Sequence, residues 1–215
     1  MKKLVFVIVL AAVPLLLLLN SCRKDPLKHL TSEETRVYST QRDSSVNFSS
    51  FKTFSIVDSV AVIENDQQPH RELTDADSKL LQEIKDQMQQ KGYVPVGKDQ
   101  DPDLGVNVTR ISNSYLNIVQ YPYDWWGYPG YWDPYYWGYP GYGYYFPPSF
   151  GIYQSQEDLL TIDLINLRDA DKNSDKQIDG IWNATIRGDA VLESGNYNNE
   201  IKAVFDQSPY LASEQ

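Results

Sequence analysis

The sequence predicts an α+β domain: an antiparallel sheet with one long and one C-terminal helix packed on one face, and a long aromatic hairpin inserted into the sheet. Three observations predict it. Apolar and polar residues alternate in Leu104–Val108, Leu160–Leu164 and Trp182–Ile186, the period of half-buried antiparallel strands. A single one-faced helical stripe, Leu80, Leu81, Ile84 and Met88, needs something flat to cover. Between the first two alternating runs lie thirty residues, 121–150, that no ordinary core explains.

Taken in order, the chain starts with Lys2, Lys3 and an apolar run from Leu4 to Leu19, followed by Asn20, Ser21 and the sole cysteine, Cys22. A basic start, an apolar middle and a small residue before the cut are the marks of a secretory signal. The run falls short of the roughly 20 residues that cross a hydrocarbon core, and Pro14 interrupts it, so a permanent spanning helix is disfavoured. With cysteine at the first position after the cut, residues 1–21 are expected to be a lipoprotein signal peptide and Cys22 the lipidated residue, carrying palmitate or a related acyl chain. Acyl chains contribute about 0.8 kcal/mol per buried methylene, so several chains would hold the protein on the membrane without a second contact.

Residues 22–34 are polar, carry Pro26, and are expected to be a tether. The single domain should occupy 35–210, with a tail at 211–215. Strand material is expected at Arg36–Arg42 and again over Phe51–Val62. The long helix should run Asp75–Lys91: Thr74 and Asp77 form a capping-box-like start, and Gly92 stands where a helix ends. Tyr93–Val96 and Leu104–Val108 follow as extended segments. In the later strand Trp182, Ala184 and Ile186 should face the core while Asn183, Thr185 and Arg187 face out. Ile201, Val204 and Phe205 form a short helical stripe stopped by Pro209.

Within 121–150, sixteen residues are Tyr, Trp or Phe and eleven are Gly or Pro, which rules out a long helix or a regular central strand. Trp126-Gly-Tyr128-Pro-Gly-Tyr131 recurs identically as Trp137-Gly-Tyr139-Pro-Gly-Tyr142. Two readings stand: a loop whose rings fold back on one another or on the sheet, or a sticky surface for a protein, a glycan or a lipid headgroup. On the second reading Trp126, Tyr128, Tyr131, Trp137, Tyr139 and Tyr142 are the expected partner-binding residues.

Charge narrows the partners. The formal net charge is −10, and loss of a signal carrying Lys2 and Lys3 makes it −12, which argues against nucleic acid and basic membrane contact. Asp169, Asp171, Asn173 and Asp175 alternate as calcium-loop ligands do, but Ser174 stands where glycine is required and Gly180 where a bidentate Glu belongs. A polar loop between strands is the stronger reading, with the four residues as a weak metal candidate. His29 and His70 have no neighbours resembling a catalytic or zinc set. No cofactor is implied and no enzyme is expected.

Phe48-x-x-Phe51-Lys-Thr-Phe54, the helix ending Gln90-Lys-Gly-Tyr93, Asp101-Pro-Asp-Leu-Gly-Val-Asn-Val108, Leu160-Thr-Ile-Asp163 and Ile181-Trp182 occur in an order that resembles the bacterial envelope lipoproteins catalogued as domain of unknown function 4136. The resemblance implies an α+β domain on the periplasmic side of an envelope membrane, with no established catalytic residues. It also implies outer-membrane delivery, which Arg23, in place of Asp after Cys22, permits. The expected function is a lipid-anchored, non-enzymatic binding or scaffold module of the cell envelope that uses its aromatic loop on a protein or glycan. The alternative from another class is a structural lipoprotein that self-associates or adheres; an envelope enzyme is a remote third.

Overall fold

The computed structural model describes residues 31, 34–64, 70–112, 133–147, 158–172, 174–188, 191 and 197–213, and the fold concerns the compact unit Ser32–Gln215. Residues 1–30, and with them Cys22, lie outside the described residues, as do Trp126, Tyr128, Tyr131 and Asn173. The described strands are β1 (Val37–Arg42), β2 (Thr53–Ile56), β3 (Val60–Glu64), β4 (His70–Glu72), β5 (Val94–Pro95), β6 (Leu104–Ser112), β7 (Gly143–Tyr145), β8 (Leu159–Asn166) and β9 (Gln177–Arg187). Two helices accompany them, α1 (Asp75–Gln90) and α2 (Asn198–Asp206).

The strands form one sheet in the order β1-β9-β8-β6-β2-β5, with β3 also on β6, β4 on β3 and β7 on β9. This sheet is mixed, which corrects the antiparallel expectation. β1, β9, β8 and β6 are antiparallel, but β2 and β3 both run parallel to β6, and β5 runs parallel to β2. The reason is the connection. Chain leaving β2 and β3 returns to β6 through α1, and a helix crossing back over a sheet brings the next strand in parallel, whereas a hairpin would reverse it. The run expected as one strand over Phe51–Val62 is two: β2 pairs with Leu104–Val106, Val57 N–H still donates to Val106 C=O at 3.1 Å, and β3 resumes opposite Thr109.

Local signals placed α1 well. Thr74 Oγ1 accepts from Asp77 N–H and Asp77 accepts from Thr74 N–H, the reciprocal capping box. At the other end Gly92 N–H donates to Gln89 C=O and Tyr93 N–H to Met88 C=O, a Schellman motif that requires the left-handed φ of +94° at Gly92. Replacing Thr74 with alanine is expected to cost about 1 kcal/mol. Urea denaturation measures it, and an unchanged midpoint would count against the cap.

One face of the sheet is apolar. Val106, Leu164 and Trp182 stand in register across three strands, as do Val108, Ile162 and Ala184. Leu80, Ile84 and Met88 of α1 and Ile201, Val204 and Phe205 of α2 are buried in the same core, and the Trp182 and Phe205 rings lie 5.6 Å apart. The other face carries Asn107, Asp163 and Asn183 in one row and Thr109, Thr161 and Thr185 in the next. Alternation predicts that row to face water. Instead Asn107, Thr109, Thr161, Asp163 and Asn183 are all buried. Over Asn107 the cover is Trp137 of the aromatic tract, part of which lies on this face as described below. Whether the whole tract is a hairpin depends on residues 113–132 and 148–157, which lie outside the described residues.

Candidate functional site

The described part of the tract, residues 133–147, is a strap of tight turns ending in a strand. Asp133 Oδ1 accepts from Tyr135 N–H at 2.9 Å, and Pro134 C=O accepts from both Trp137 N–H and Tyr139 N–H. Gly138 and Gly141 adopt φ of +85° and +79°, left-handed values that explain the glycines of the repeat. The strap then joins the sheet as β7, parallel to the start of β9.

Side chains pin the strap to the polar face. Trp137 is 7% exposed and donates its indole N–H to Asn107 Oδ1 at 3.2 Å. Tyr139 donates its hydroxyl to Leu167 C=O at 3.1 Å, and its ring lies 5.2 Å from that of Tyr142. Phe146 lies over Gly180 so closely that a β-carbon there would overlap its ring. Burial pushes the Tyr144 phenol far up, as expected for a ring on the inner side of the strap. Beneath them Asn183 Nδ2 donates to Asp163 Oδ1 at 2.7 Å and Thr185 donates to Asn183 Oδ1. A polar face can be buried this way because Asn183 pairs with Asp163 and Thr185, and Asn107 with the indole, although Asn107 Nδ2 is buried without a partner among the described residues.

Tyr136 faces a different neighbourhood. Its hydroxyl accepts from Asp58 N–H at 3.2 Å, its ring meets Trp137 edge-on at 4.9 Å, and Lys98 Nζ and Arg71 Cζ lie 4.4 and 5.5 Å from its centroid. Burial raises the Tyr136 phenol, with Asp58 adding to it, and burial pulls the Arg71 guanidinium down. Two clefts flank the Tyr136–Trp137 pair. One, of about 270 Å³, lies among Trp137, Tyr139, the loop entering β6 and the loop leaving β8. The other, of about 380 Å³, lies between Tyr136 and the β2 and β5 edge. Lys98 lines both.

Of the six aromatic residues expected to meet a partner, three are thus described. Trp137 is a packing residue, Tyr139 and Tyr142 are half-buried, and the most exposed large ring of the strap is Tyr135 at 73%. The β8–β9 segment is the polar loop between strands that the sequence suggests. Asp169 bonds Lys172 Nζ at 2.6 Å and Asn166 Nδ2 at 3.0 Å, and these bonds, Lys172 first, hold its carboxyl below the ordinary range. Asp171 lies at the rim of the first cleft and Asp175 is exposed. Among the described residues no three His, Cys, Asp or Glu side chains are grouped to hold a metal. His70 stands 3.9 Å from Glu72 on the short β4.

Sequence reasoning missed Asn107, Asp163 and Asn183 as a buried row and Lys98, Asp101 and Arg168 as neighbours of the aromatic repeat. For the row the local signal pointed the other way: polar residues at the alternate positions of three adjacent strands read as a solvent-facing row. For the loop residues there was no signal, because they lie far from the tract in the chain.

A sequence model described as domain of unknown function DUF4136 matches residues 38–210. The crystal structure of a DUF4136 family protein from Bacteroides thetaiotaomicron superposes with a TM-score of 0.72 at 29% identity, covering 84% of this chain and 99% of that one. A PelC dodecamer from Paraburkholderia phytofirmans aligns at 11% identity over 84% of this chain and 99% of that one, with a TM-score of 0.38, too low to carry an argument. Comparison with curated proteins gives no match.

Proposed function

We propose, from the premise that this chain belongs to the family described as domain of unknown function DUF4136, that it is a non-enzymatic binding or scaffold module of the cell envelope. Lipid on Cys22 holds it to the membrane, facing the periplasm from the outer membrane. The signal-like segment ending at Cys22 supports the anchoring. Among the described residues no helix is long and apolar enough to cross a membrane.

The observation that carries the binding reading is the strap itself. Its inner rings are held by side-chain bonds to the sheet, and Tyr135 and Tyr145 project from it at 73% and 42% exposure. Rings presented on a prearranged frame bind at lower entropic cost than rings on a free loop. Deleting the whole tract would strip Trp137 and Phe146 from the core, so point changes are the sounder test.

Crosslinking with mass spectrometry in intact cells is expected to give a discrete adduct that disappears in the Tyr135→Ser/Tyr145→Ser variant while the fold persists. Identical adducts in both proteins would overturn the reading. In the same cells Cys22→Ala should release the protein from the membrane fraction or leave its signal uncut; a variant that has lost its signal and still fractionates with the membrane would overturn the anchor.

A further inference from the structure

We infer that the cleft bounded by Trp137, Tyr139, Asp101, Arg168 and Asp171 is a subsite for a neutral, hydroxyl-rich oligosaccharide. This rests on the reading of the chain as a binding module and names what it binds. The cleft joins three segments remote in sequence: the strap, the loop entering β6 with Asp101 and Pro102, and the loop leaving β8 with Leu167, Arg168 and Asp171.

Its walls have the two chemistries a sugar ring presents. One face of a pyranose is a patch of C–H groups, which an aromatic ring covers, and its rim is a set of hydroxyls that both donate and accept. Tyr139 supplies the ring. Its orientation is set in advance, by the bond to Leu167 C=O on one side and by Tyr142 on the other. Asp101 and Asp171 supply exposed carboxylate acceptors; burial raises the Tyr139 phenol, and Asp171 is close enough to add to it. Arg168 supplies donors from a fixed position: Nη1 donates to Ser50 C=O at 2.9 Å, Nη2 to Ser50 Oγ at 3.1 Å, and the guanidinium lies 4.2 Å over the Phe51 ring. A guanidinium has five N–H donors, so those two bonds leave it further capacity.

The alternatives fit less well. An acyl chain wants a dry apolar slot, and this cleft carries Lys98, Asp101, Arg168 and Asp171 on its walls. For a polyanion, Asp101 and Asp171 offset Lys98 and Arg168 on the walls, so the cleft offers no net positive charge, and the chain as a whole carries −10. The volume of about 270 Å³ is small for a folded partner and sits near the lower end of small-ligand sites. Length enters through Lys98. It lines this cleft and the second one beyond the Tyr136–Trp137 pair, so a linear oligosaccharide can run from one to the other across it.

The test uses the full chain in detergent micelles, titrated by calorimetry with cellohexaose and with N-acetylated chitohexaose, with hydrogen exchange to locate the contact. Saturable binding of either sugar is expected, with slowed exchange over 98–102, 135–142 and 167–171. Asp171→Ala and Tyr139→Ala should each weaken it about tenfold. Asp171 is an exposed loop residue whose loss leaves the fold intact, so it decides the matter if Tyr139→Ala does not fold. Absence of binding by both sugars, slowed exchange only elsewhere, or undiminished binding by Asp171→Ala would overturn the subsite. Should the sugars fail while the cellular adduct still depends on Tyr135 and Tyr145, the module reading stands and only its glycan class falls; failure of both overturns both.

Discussion

Trp182→Ala is expected to lower the stability of the domain by roughly 3–5 kcal/mol, a large part of the 5–15 kcal/mol that holds a typical domain. The indole is fully buried at the centre of β9, between Leu164 on β8 and Arg42 on β1 in register. Its ring packs on Phe205 of α2, and its N–H donates to Ser208 Oγ at 3.0 Å. Truncation therefore opens a cavity on the apolar face and cuts the link between the sheet and the C-terminal helix. Ser208 Oγ keeps its contact with the Tyr210 hydroxyl at 3.2 Å, so Trp182→Phe should cost much less, on the order of 1 kcal/mol. Urea unfolding of both variants separates the cavity from the hydrogen bond. A loss under about 1 kcal/mol for the alanine variant would show that α2 does not lean on this ring.

Arg36→Met and Arg110→Met are each expected to cost roughly 3–5 kcal/mol, because each leaves a buried carboxylate without its cation. Arg36 pairs with Glu200 in the first turn of α2, with side chains 6% and 5% exposed. Arg110 pairs with Glu72 and with Asp77 in the first turn of α1, where the Asp77 side chain is 1% exposed and 3.0 Å away. Each carboxylate lies at a helix N-terminus, which favours its negative charge, yet that field alone is worth about 1 kcal/mol and does not replace a guanidinium. The double change Arg36→Met/Glu200→Leu removes both charges and should recover most of the loss. A double-mutant cycle reads this directly. If the double variant is as unstable as the two single changes added together, the pair is not coupled and the account fails.

The helices and most strands were legible because their signals are local. Thr74 with Asp77, and Gly92 with Tyr93, set the ends of α1 through bonds spanning only a few residues. The alternation of Leu104, Val106 and Val108 put the right residues in the core. Strand direction was not legible, since an extended run of Phe51 to Val62 looks the same whether its partner is parallel or antiparallel. Only the return path through α1 settles it. The second face misled for a different reason. Asn107, Asp163 and Asn183 carry the polarity of solvent-facing residues, yet they are buried on a face where Trp137 bonds Asn107 and Phe146 covers Gly180 from elsewhere in the chain.

For the site, composition alone marked the aromatic tract and its repeated Trp-Gly-Tyr-Pro-Gly-Tyr unit. It did not separate Trp137, turned onto the sheet, from Tyr135, turned outward, because a run of turns at proline and glycine has no period from which to read a face. Nor could it bring Asp101, Arg168 and Asp171 to the edge of Tyr139, since that needs three distant loops to meet. What the sequence by itself determined is what short-range chemistry controls: family membership, the helix ends, the apolar face and the unusual composition of the strap. What only the tertiary structure decided is strand direction, which rings are buried, and which charges share a cleft with them. Those outcomes are set by long-range closure of the chain, and no neighbouring residue encodes it.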